Sequence, residues 1–211
     1  MKKLESSLKN MLLVLTLVCA VATAILAYVN NLTTAPIAES EAKTLNEAIK
    51  EVAPEFDNNP STEAQNVTTP AGEFVVYPAS KGGVSVGAAV KSKTNGFGGD
   101  LEILVGFTTD GTINGYSILK TNETPGLGSK AGFWFKPAVA AKPTLIEKIF
   151  GFTVASAPRK SDITGKNPEK NNLTVHKDGG EIDEITASTI TSRAFLLAVR
   201  NAYTAFKKNQ K

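Results

Sequence analysis

Cysteine and histidine are almost absent from this sequence of 211 residues, which holds one of each, Cys19 and His176. A single cysteine excludes an intramolecular disulfide and a cysteine-rich zinc or iron–sulfur site, and a single histidine excludes a histidine-based metal cluster. No Ser/His/Asp set, Walker loop or GxGxxG loop is present either. The sequence therefore lacks the usual signs of hydrolytic, nucleotide-binding and metal-centred catalysis.

An excess of charge of one sign is also missing. The 23 Lys and Arg residues against 20 Asp and Glu give a formal net charge of +3. Lys2, Lys3, Lys9 and Glu5 supply +2 of that charge, and the remaining 20 basic and 19 acidic residues almost balance. Nucleic-acid binding needs a concentrated basic face. No nucleic-acid partner is therefore expected.

Charged residues are absent altogether from the 29 residues between Asn10 and Ala38. Within this run, the 19 residues at positions 11–29 are mostly apolar, and a helix of that length would reach about 28 Å, close to the hydrocarbon thickness of a bilayer. We predict a transmembrane helix at 11–29. A cleaved signal peptide is the alternative, since Ala22-Thr23-Ala24 is typical of a cleavage site, although the apolar run continues beyond it.

The lysines of the first ten residues predict the orientation of this helix. Positive residues flanking an apolar helix are enriched on its cytoplasmic side. We therefore expect residues 1–10 in the cytoplasm and the rest of the chain on the periplasmic or external side of a bacterial cytoplasmic membrane.

The remaining sequence predicts an α+β domain with a mostly antiparallel sheet and flanking helices. Residues 30–71 are expected to hold a juxtamembrane helix at 39–53, ended by Pro54, and a polar connector from 57 to about 72. The folded domain then covers 72–208. Its predicted strands are 73–77, 84–90, 101–107, 113–120 and 173–177, with a hairpin turn at Asp110-Gly111. Predicted helices cover 137–150 and the segment from Ile190, where a stripe is formed by Ile190, Ala194, Leu197, Ala198, Ala202 and Ala205.

Two segments of the domain could carry chemistry. In the first, a loop of Glu123, Thr124, Pro125, Gly126, Leu127 and Gly128, the Pro-Gly pair predicts a type II turn with exposed backbone N–H groups. The second, Asp183 to Ser192, places small and hydroxyl side chains at the start of the C-terminal helix, where free N–H groups favour a phosphate. Taken alone, the first could be a plain loop and the second a simple helix cap.

Taken together, and with Gly96–Phe107, these segments resemble the G subunit of the Rnf electron-transport complex, which is similar to the C subunit of the sodium-pumping NADH:quinone reductase. The resemblance implies one N-terminal anchor and an FMN-binding domain. It also implies that the 123–128 loop lies against the flavin.

In that family, FMN is attached through its phosphate to a threonine in the pattern Asp-x-x-(Ser/Thr)-Gly-Ala-(Thr/Ser). The matching residues here are Asp183, Thr186, Ala187, Ser188 and Thr189, so Ala187 replaces the glycine and Ser188 the alanine. The resemblance thus implies Thr189 as the attachment residue. Thr191 is the second candidate, and Thr186 and Ser188 are expected to act as caps or as hydrogen-bond donors to the phosphate.

The implied function is that of a covalently flavinylated electron relay in an ion-translocating ferredoxin:NAD⁺ oxidoreductase, with no substrate of its own. Its implied partners are the other Rnf subunits and a flavin transferase that uses FAD and Mg²⁺ outside the cytoplasm. Two alternatives stay open, the C subunit of the quinone reductase and a membrane-anchored module without redox function.

Overall fold

The computed structural model describes residues 7–137 and 160–210. The chain divides into two compact units, residues 1–44 and 45–211. The predicted helix at 137–150 and much of the loop expected after it fall outside the described residues. The described part of that loop, residues 160–172, consists of turns and irregular backbone, as predicted.

Helix α1 runs from Leu8 to Val52, and among the described residues it is the one helix long and apolar enough to cross a bilayer. In its apolar part, threonine hydroxyl groups form hydrogen bonds with carbonyl groups of the same helix. Thr16 and Thr23 donate to the carbonyls of Leu12 and Cys19, each at 2.8 Å. Polar side chains are thereby paired within the helix, as an apolar environment requires.

The predicted transmembrane and juxtamembrane helices belong to one continuous helix. Helix α1 continues through Pro36 into the segment expected to form a second helix. Proline disrupts a helix because it lacks one N–H donor and its ring crowds the preceding turn. Here no glycine accompanies it between Asn30 and Val52, and good helix formers such as Ala38, Glu41 and Leu45 follow it and support the helix.

Five strands form one antiparallel sheet in the order β1-β2-β3-β4-β5, each strand joined to the next by a hairpin connection. They are β1 (Gln65–Thr69), β2 (Gly72–Lys81), β3 (Val84–Asn95), β4 (Asp100–Thr108) and β5 (Ile113–Thr121). The antiparallel sheet and the Asp110-Gly111 hairpin are confirmed. Strand β1 corrects the expectation of a polar connector there, because Gln65–Thr69 pairs along β2 at the edge of the sheet.

Both faces of the sheet are covered. Short helix α2 (Ala131–Trp134) and C-terminal helix α3 (Thr189–Asn209) contribute to the larger core. On the other face, Ile49 and Val52 from the end of α1 pack with Leu104 of β4. This two-sided burial explains why Ile103–Phe107 are all buried, where one buried face would give alternation. Gly106 allows the close approach, since a Cβ there would lie 1.9 Å from the Val52 carbonyl oxygen.

Helix α3 buries four of the six residues of the predicted stripe, Ala194, Ala198, Ala202 and Ala205, but not the other two. Ile190 and Leu197 are 52% and 43% exposed, whereas Phe195 and Phe206 are buried. Phe195 stacks on Phe135 with ring centroids 4.5 Å apart. Large aromatic rings bury more apolar area than Ile190 and Leu197 would, so the buried face is centred on the alanines and on these rings.

The predicted strand at 173–177 is also wrong. Only one bridge forms, between Val175 and Ile182, and a 3₁₀ turn follows at His176–Asp178. Gly179 ends this turn with φ of +80°, and the N–H of Gly180 donates back to the Val175 carbonyl at 3.1 Å. The chain reverses too early for a strand to extend. His176 is exposed.

Candidate functional site

The loop after β5 contains the predicted type II turn. Leu127 N–H donates to the Thr124 carbonyl at 3.1 Å, and Gly126 has φ of +76°. This is the left-handed conformation that the third position of such a turn requires. The N–H of Gly126 donates to the Ser129 hydroxyl at 2.9 Å. The expectation that these two N–H groups stay exposed for a ligand is therefore wrong, because both bond within the loop.

Glu123 connects this loop to two distant segments. Its Oε1 accepts hydrogen bonds from the N–H groups of Phe97 at 2.7 Å and Gly98 at 3.3 Å. Its Oε2 accepts a hydrogen bond from the Thr191 hydroxyl at 2.8 Å. The side chain is buried, with 7% of the residue exposed. One carboxylate thus joins the glycine-rich turn at 96–99 and the start of α3 to the 123–128 loop.

Gly128 is required where the loop meets the helix. A Cβ at this position would lie 2.3 Å from Glu123 Oε2 and 2.8 Å from Thr191 Oγ1. Any side chain would therefore displace the hydrogen bond between these residues. From Gly128 the chain continues through a 3₁₀ turn into α2, which Tyr116 fixes to the sheet by donating to the Ala131 carbonyl at 2.7 Å.

The start of α3 is held by serine and threonine hydroxyls. Ser188 occupies the N-cap position, but its side chain donates to Thr191 Oγ1 at 2.9 Å and does not cap a helix N–H. Ser192 accepts from Ile185 N–H and donates to the Ser188 carbonyl, both at 3.0 Å. Thr186 is exposed and precedes the N-cap by two residues. Neither Thr186 nor Ser188 is therefore a side-chain cap.

Asp183 has a different position from that expected of a cofactor contact. Its carbonyl accepts a hydrogen bond from Trp134 Nε1 at 3.0 Å, and its carboxylate accepts one from Lys160 N–H at 2.9 Å. These contacts connect the segment before α3 to α2 and to residue 160.

A cavity of about 430 Å³ lies between the loop, the glycine-rich turn and the start of α3. Its volume is within the range of about 300–1,000 Å³ that is usual for small-molecule sites. Eight of the twelve predicted site residues line the cavity, whereas Pro125, Gly126, Asp183 and Thr186 do not. The residues that line it are Phe97, Glu123, Thr124, Leu127, Gly128, Ala187, Ser188, Thr189, Ile190 and Thr191.

Two apolar residues of this lining, Phe97 and Ile190, were not predicted as site residues. They are 70% and 52% exposed, and with Leu127 they give the cavity an uncovered apolar wall. A planar aromatic ring system is the kind of ligand that such a wall would cover. The sign that Ile190 belongs to the site is its exposed apolar side chain on a helix that buries most of its other apolar residues. That sign could be recognised only once the structure showed which face of the helix packs on the sheet.

Thr189 is the first residue of α3, directly beside this wall. Its hydroxyl accepts a weak hydrogen bond from Lys177 Nζ at 3.4 Å. The first N–H groups of a helix have no intrahelical partner and carry positive partial charge. At α3 these belong to Thr189, Ile190 and Thr191, so the arrangement fits a ligand with an aromatic ring and a phosphate.

Comparison with known proteins agrees with this geometry. Residues 96–204 match the model of the FMN-binding domain, and residues 1–52 match that of the RnfG N-terminal region. The chain belongs to the family of Rnf-complex G subunits.

Several G subunits are similar to the chain over nearly its whole length. The G subunit of the Na⁺-translocating ferredoxin:NAD⁺ oxidoreductase complex of Acetobacterium woodii is 31% identical, covering 94% of this chain and 91% of the relative. The G subunit of the ion-translocating oxidoreductase complex of Shewanella piezotolerans is 32% identical, covering 98% and 92%. The corresponding protein of Cereibacter sphaeroides is 29% identical, covering 94% and 84%. Within this RnfG family, the chain carries its FMN-binding domain around the cavity described above.

The backbone conformation at Ala187 favours glycine, the residue that the family resemblance led us to expect there. Ala187 has φ of +62°, and it is the one non-glycine residue with positive φ among the described residues. This conformation costs a residue with a Cβ roughly 1–2 kcal/mol. Glycine would remove that cost. Its greater conformational entropy in the unfolded chain would, however, lower the free energy of unfolding by about 0.4–1 kcal/mol.

We therefore expect Ala187→Gly to raise the stability of the full-length protein by about 0.5–1 kcal/mol, measured as an increase in Tm of roughly 1–4 °C. Ala194→Gly, inside helix α3, is the matched control and should lower stability by about 1 kcal/mol or more. A decrease in Tm for both variants would contradict the strain assigned to Ala187.

Proposed function

We propose that this protein is the covalently flavinylated electron-relay subunit of an ion-translocating ferredoxin:NAD⁺ oxidoreductase complex of the Rnf type. The observation that carries the proposal is the threonine hydroxyl of residue 189 at the first turn of α3, beside a cavity with an apolar wall. The assignment to such a complex is supported by relatives at about 30% identity, which are named as G subunits of ion-translocating oxidoreductase complexes.

In this proposal Thr189 holds FMN through a phosphoester. The Thr189 oxygen bonds to the phosphorus of the FMN half of FAD, the bond from that phosphorus to AMP breaks, and AMP and a proton leave. A separate flavin transferase with Mg²⁺ performs this step. The 123–128 loop and the wall of Phe97, Leu127 and Ile190 would cover the flavin ring.

The bound flavin would supply the redox chemistry, accepting electrons from one neighbouring protein of the complex and passing them to another. The protein's own residues position it and keep water from part of it. A positioning role of this kind is consistent with the hydrogen bonds of the buried polar residues. These residues bond to one another and to the backbone; they are Glu123, Ser188, Thr191 and Ser192.

Flavin fluorescence of the denatured protein tests this proposal. The full-length chain, co-expressed with the transferase and separated on a denaturing gel, should fluoresce under ultraviolet light. A dark band after such co-expression would instead favour a membrane-anchored module without a covalent cofactor.

We further propose that α1 anchors the protein with its N-terminus in the cytoplasm and the FMN-binding domain outside. The support is the lysine excess before residue 11 and the uncharged run that follows it. Protease added to intact spheroplasts should digest the domain, whereas a tag at the N-terminus should survive until lysis. Protection of the domain in intact spheroplasts would contradict this orientation.

A further inference from the structure

We infer that Lys177 is the cationic contact of the phosphate at Thr189, a role that rests on the proposed flavin attachment and adds a binding residue to it. Lys177 lies in the 3₁₀ turn at His176–Asp178, outside both segments that the sequence pointed to. Its Nζ is 3.4 Å from Thr189 Oγ1. A phosphorus bonded to that oxygen would carry its charged oxygens within reach of the same ammonium group.

The turn that carries Lys177 is fixed against the start of α3. Arg193, in the first turns of that helix, donates to both carboxylate oxygens of Asp178, each at 2.7 Å. Such two-pronged pairs between guanidinium and carboxylate groups have a defined geometry. The hydrogen bonds from Arg193 hold the pKa of Asp178 below its ordinary value. Because Asp178 follows Lys177 directly, this pair keeps the lysine near Thr189.

Glu184 pairs with the same ammonium group. Its Oε1 lies 3.1 Å from Lys177 Nζ, on the segment that leads into α3. The Glu184 side chain is largely shielded, with 14% of it exposed, whereas the Lys177 side chain is 61% exposed. The ammonium group therefore contacts Glu184 on one side and Thr189 on another, and it retains open space for a third partner.

Charge requirements also assign this role to Lys177 ahead of Arg193. A phosphodiester brings one negative charge to the start of α3, where Glu184 and Asp178 already lie nearby. Arg193 is engaged with Asp178 through two hydrogen bonds. Among the described residues, Lys177 is the one whose cationic group contacts the Thr189 side chain. It supplies the positive charge that offsets the incoming phosphate.

The rate of flavin attachment tests this inference. The full-length protein in detergent is incubated with purified transferase, FAD and Mg²⁺, and the fluorescence of the denatured band is followed over time. We expect Lys177→Met to lower the initial rate about threefold to fivefold, as expected for a partly exposed ionic contact. Lys177→Arg should retain most of the rate. Lys170→Met, which removes an exposed lysine from another turn, should match the unchanged protein.

Two further measurements separate a charge contact from a merely structural role. The rate ratio between the unchanged protein and Lys177→Met should approach one as salt is raised, because ions screen exposed charges. Glu184→Gln should attach flavin at least as fast as the unchanged protein, since it frees the ammonium group for the phosphate. If Lys177 merely held the loop through Glu184, then Glu184→Gln would slow attachment as much as Lys177→Met does.

An unchanged rate for Lys177→Met, or an equal loss for Glu184→Gln, would overturn the role of Lys177. These outcomes differ from failure of the proposed function. A dark band for the unchanged protein, or a fluorescent band for Thr189→Ala, would overturn the attachment itself.

Discussion

Thr189→Ala is expected to remove covalent flavin completely, reducing the fluorescence of the denatured band to background, while the protein remains folded in the membrane. The reason is the difference between the hydroxyl groups at the start of α3. Thr189 is partly exposed at the cavity, and the contact of its hydroxyl is a long one to Lys177. It can therefore reach the phosphorus of an incoming FAD without breaking a buried hydrogen bond.

Thr191 cannot substitute for Thr189 in this role. Its side chain is fully buried, and its oxygen accepts a hydrogen bond from Ser188 while donating to Glu123. Attack by this oxygen would leave the Glu123 carboxylate without that partner, and burying such a group unpaired costs about 1–3 kcal/mol or more. We expect Thr191→Ala to retain at least part of its covalent flavin.

Thr204→Ala is the matched control, because it removes an exposed threonine hydroxyl from the same helix, away from the cavity. It should keep full fluorescence. The stability of Thr189→Ala should stay within about 0.5 kcal/mol of the unchanged protein, since no strong hydrogen bond is lost. A fluorescent Thr189→Ala band would contradict the assignment.

Glu123→Ala should produce the largest loss of stability, about 3–5 kcal/mol, or a decrease in Tm of roughly 10 °C. The substitution removes the acceptor of the Phe97 and Gly98 N–H groups and of the Thr191 hydroxyl. It also leaves a gap where three segments of the cavity meet. Flavin attachment should therefore fall together with stability.

Glu73→Ala is the control for Glu123→Ala, because Glu73 is an exposed glutamate at the start of β2. It should change stability by no more than about 0.5 kcal/mol. Glu123→Gln should recover part of the loss, since its amide oxygen can still accept from the backbone. Thermal unfolding of the full-length protein in detergent measures all three. A loss below about 1 kcal/mol for Glu123→Ala would show that the three segments are held by other contacts.

Local sequence signals predicted the parts of the site that depend on local geometry. The Pro125-Gly126 pair was sufficient for the type II turn, because the preferred φ values of these two residues determine it. The start of α3 followed from hydroxyl residues before an apolar segment. The resemblance to the Rnf-complex protein then identified the family, which the comparisons confirm.

Contacts between distant residues could not be predicted in this way. The hydrogen bond between Glu123 and Thr191 joins positions 68 residues apart, and nothing in either local pattern indicates it. Strand β1 is polar because it lies at the edge of the sheet, so its sequence lacks an alternating apolar pattern. Phe97 likewise lines the cavity with its backbone N–H bonded to Glu123, 26 residues away.

Peptide mapping of the protein purified from a host that expresses the transferase tests the central claim most directly. Trypsin cleavage after Lys177 and Arg193 releases a peptide, residues 178–193, that contains every candidate hydroxyl at the start of α3. We predict that this peptide carries the mass of FMN as a phosphoester, and that its fragment ions place that mass on Thr189. An unmodified peptide from fluorescent protein, or fragments that place the flavin on Ser188 or Thr191, would contradict the account.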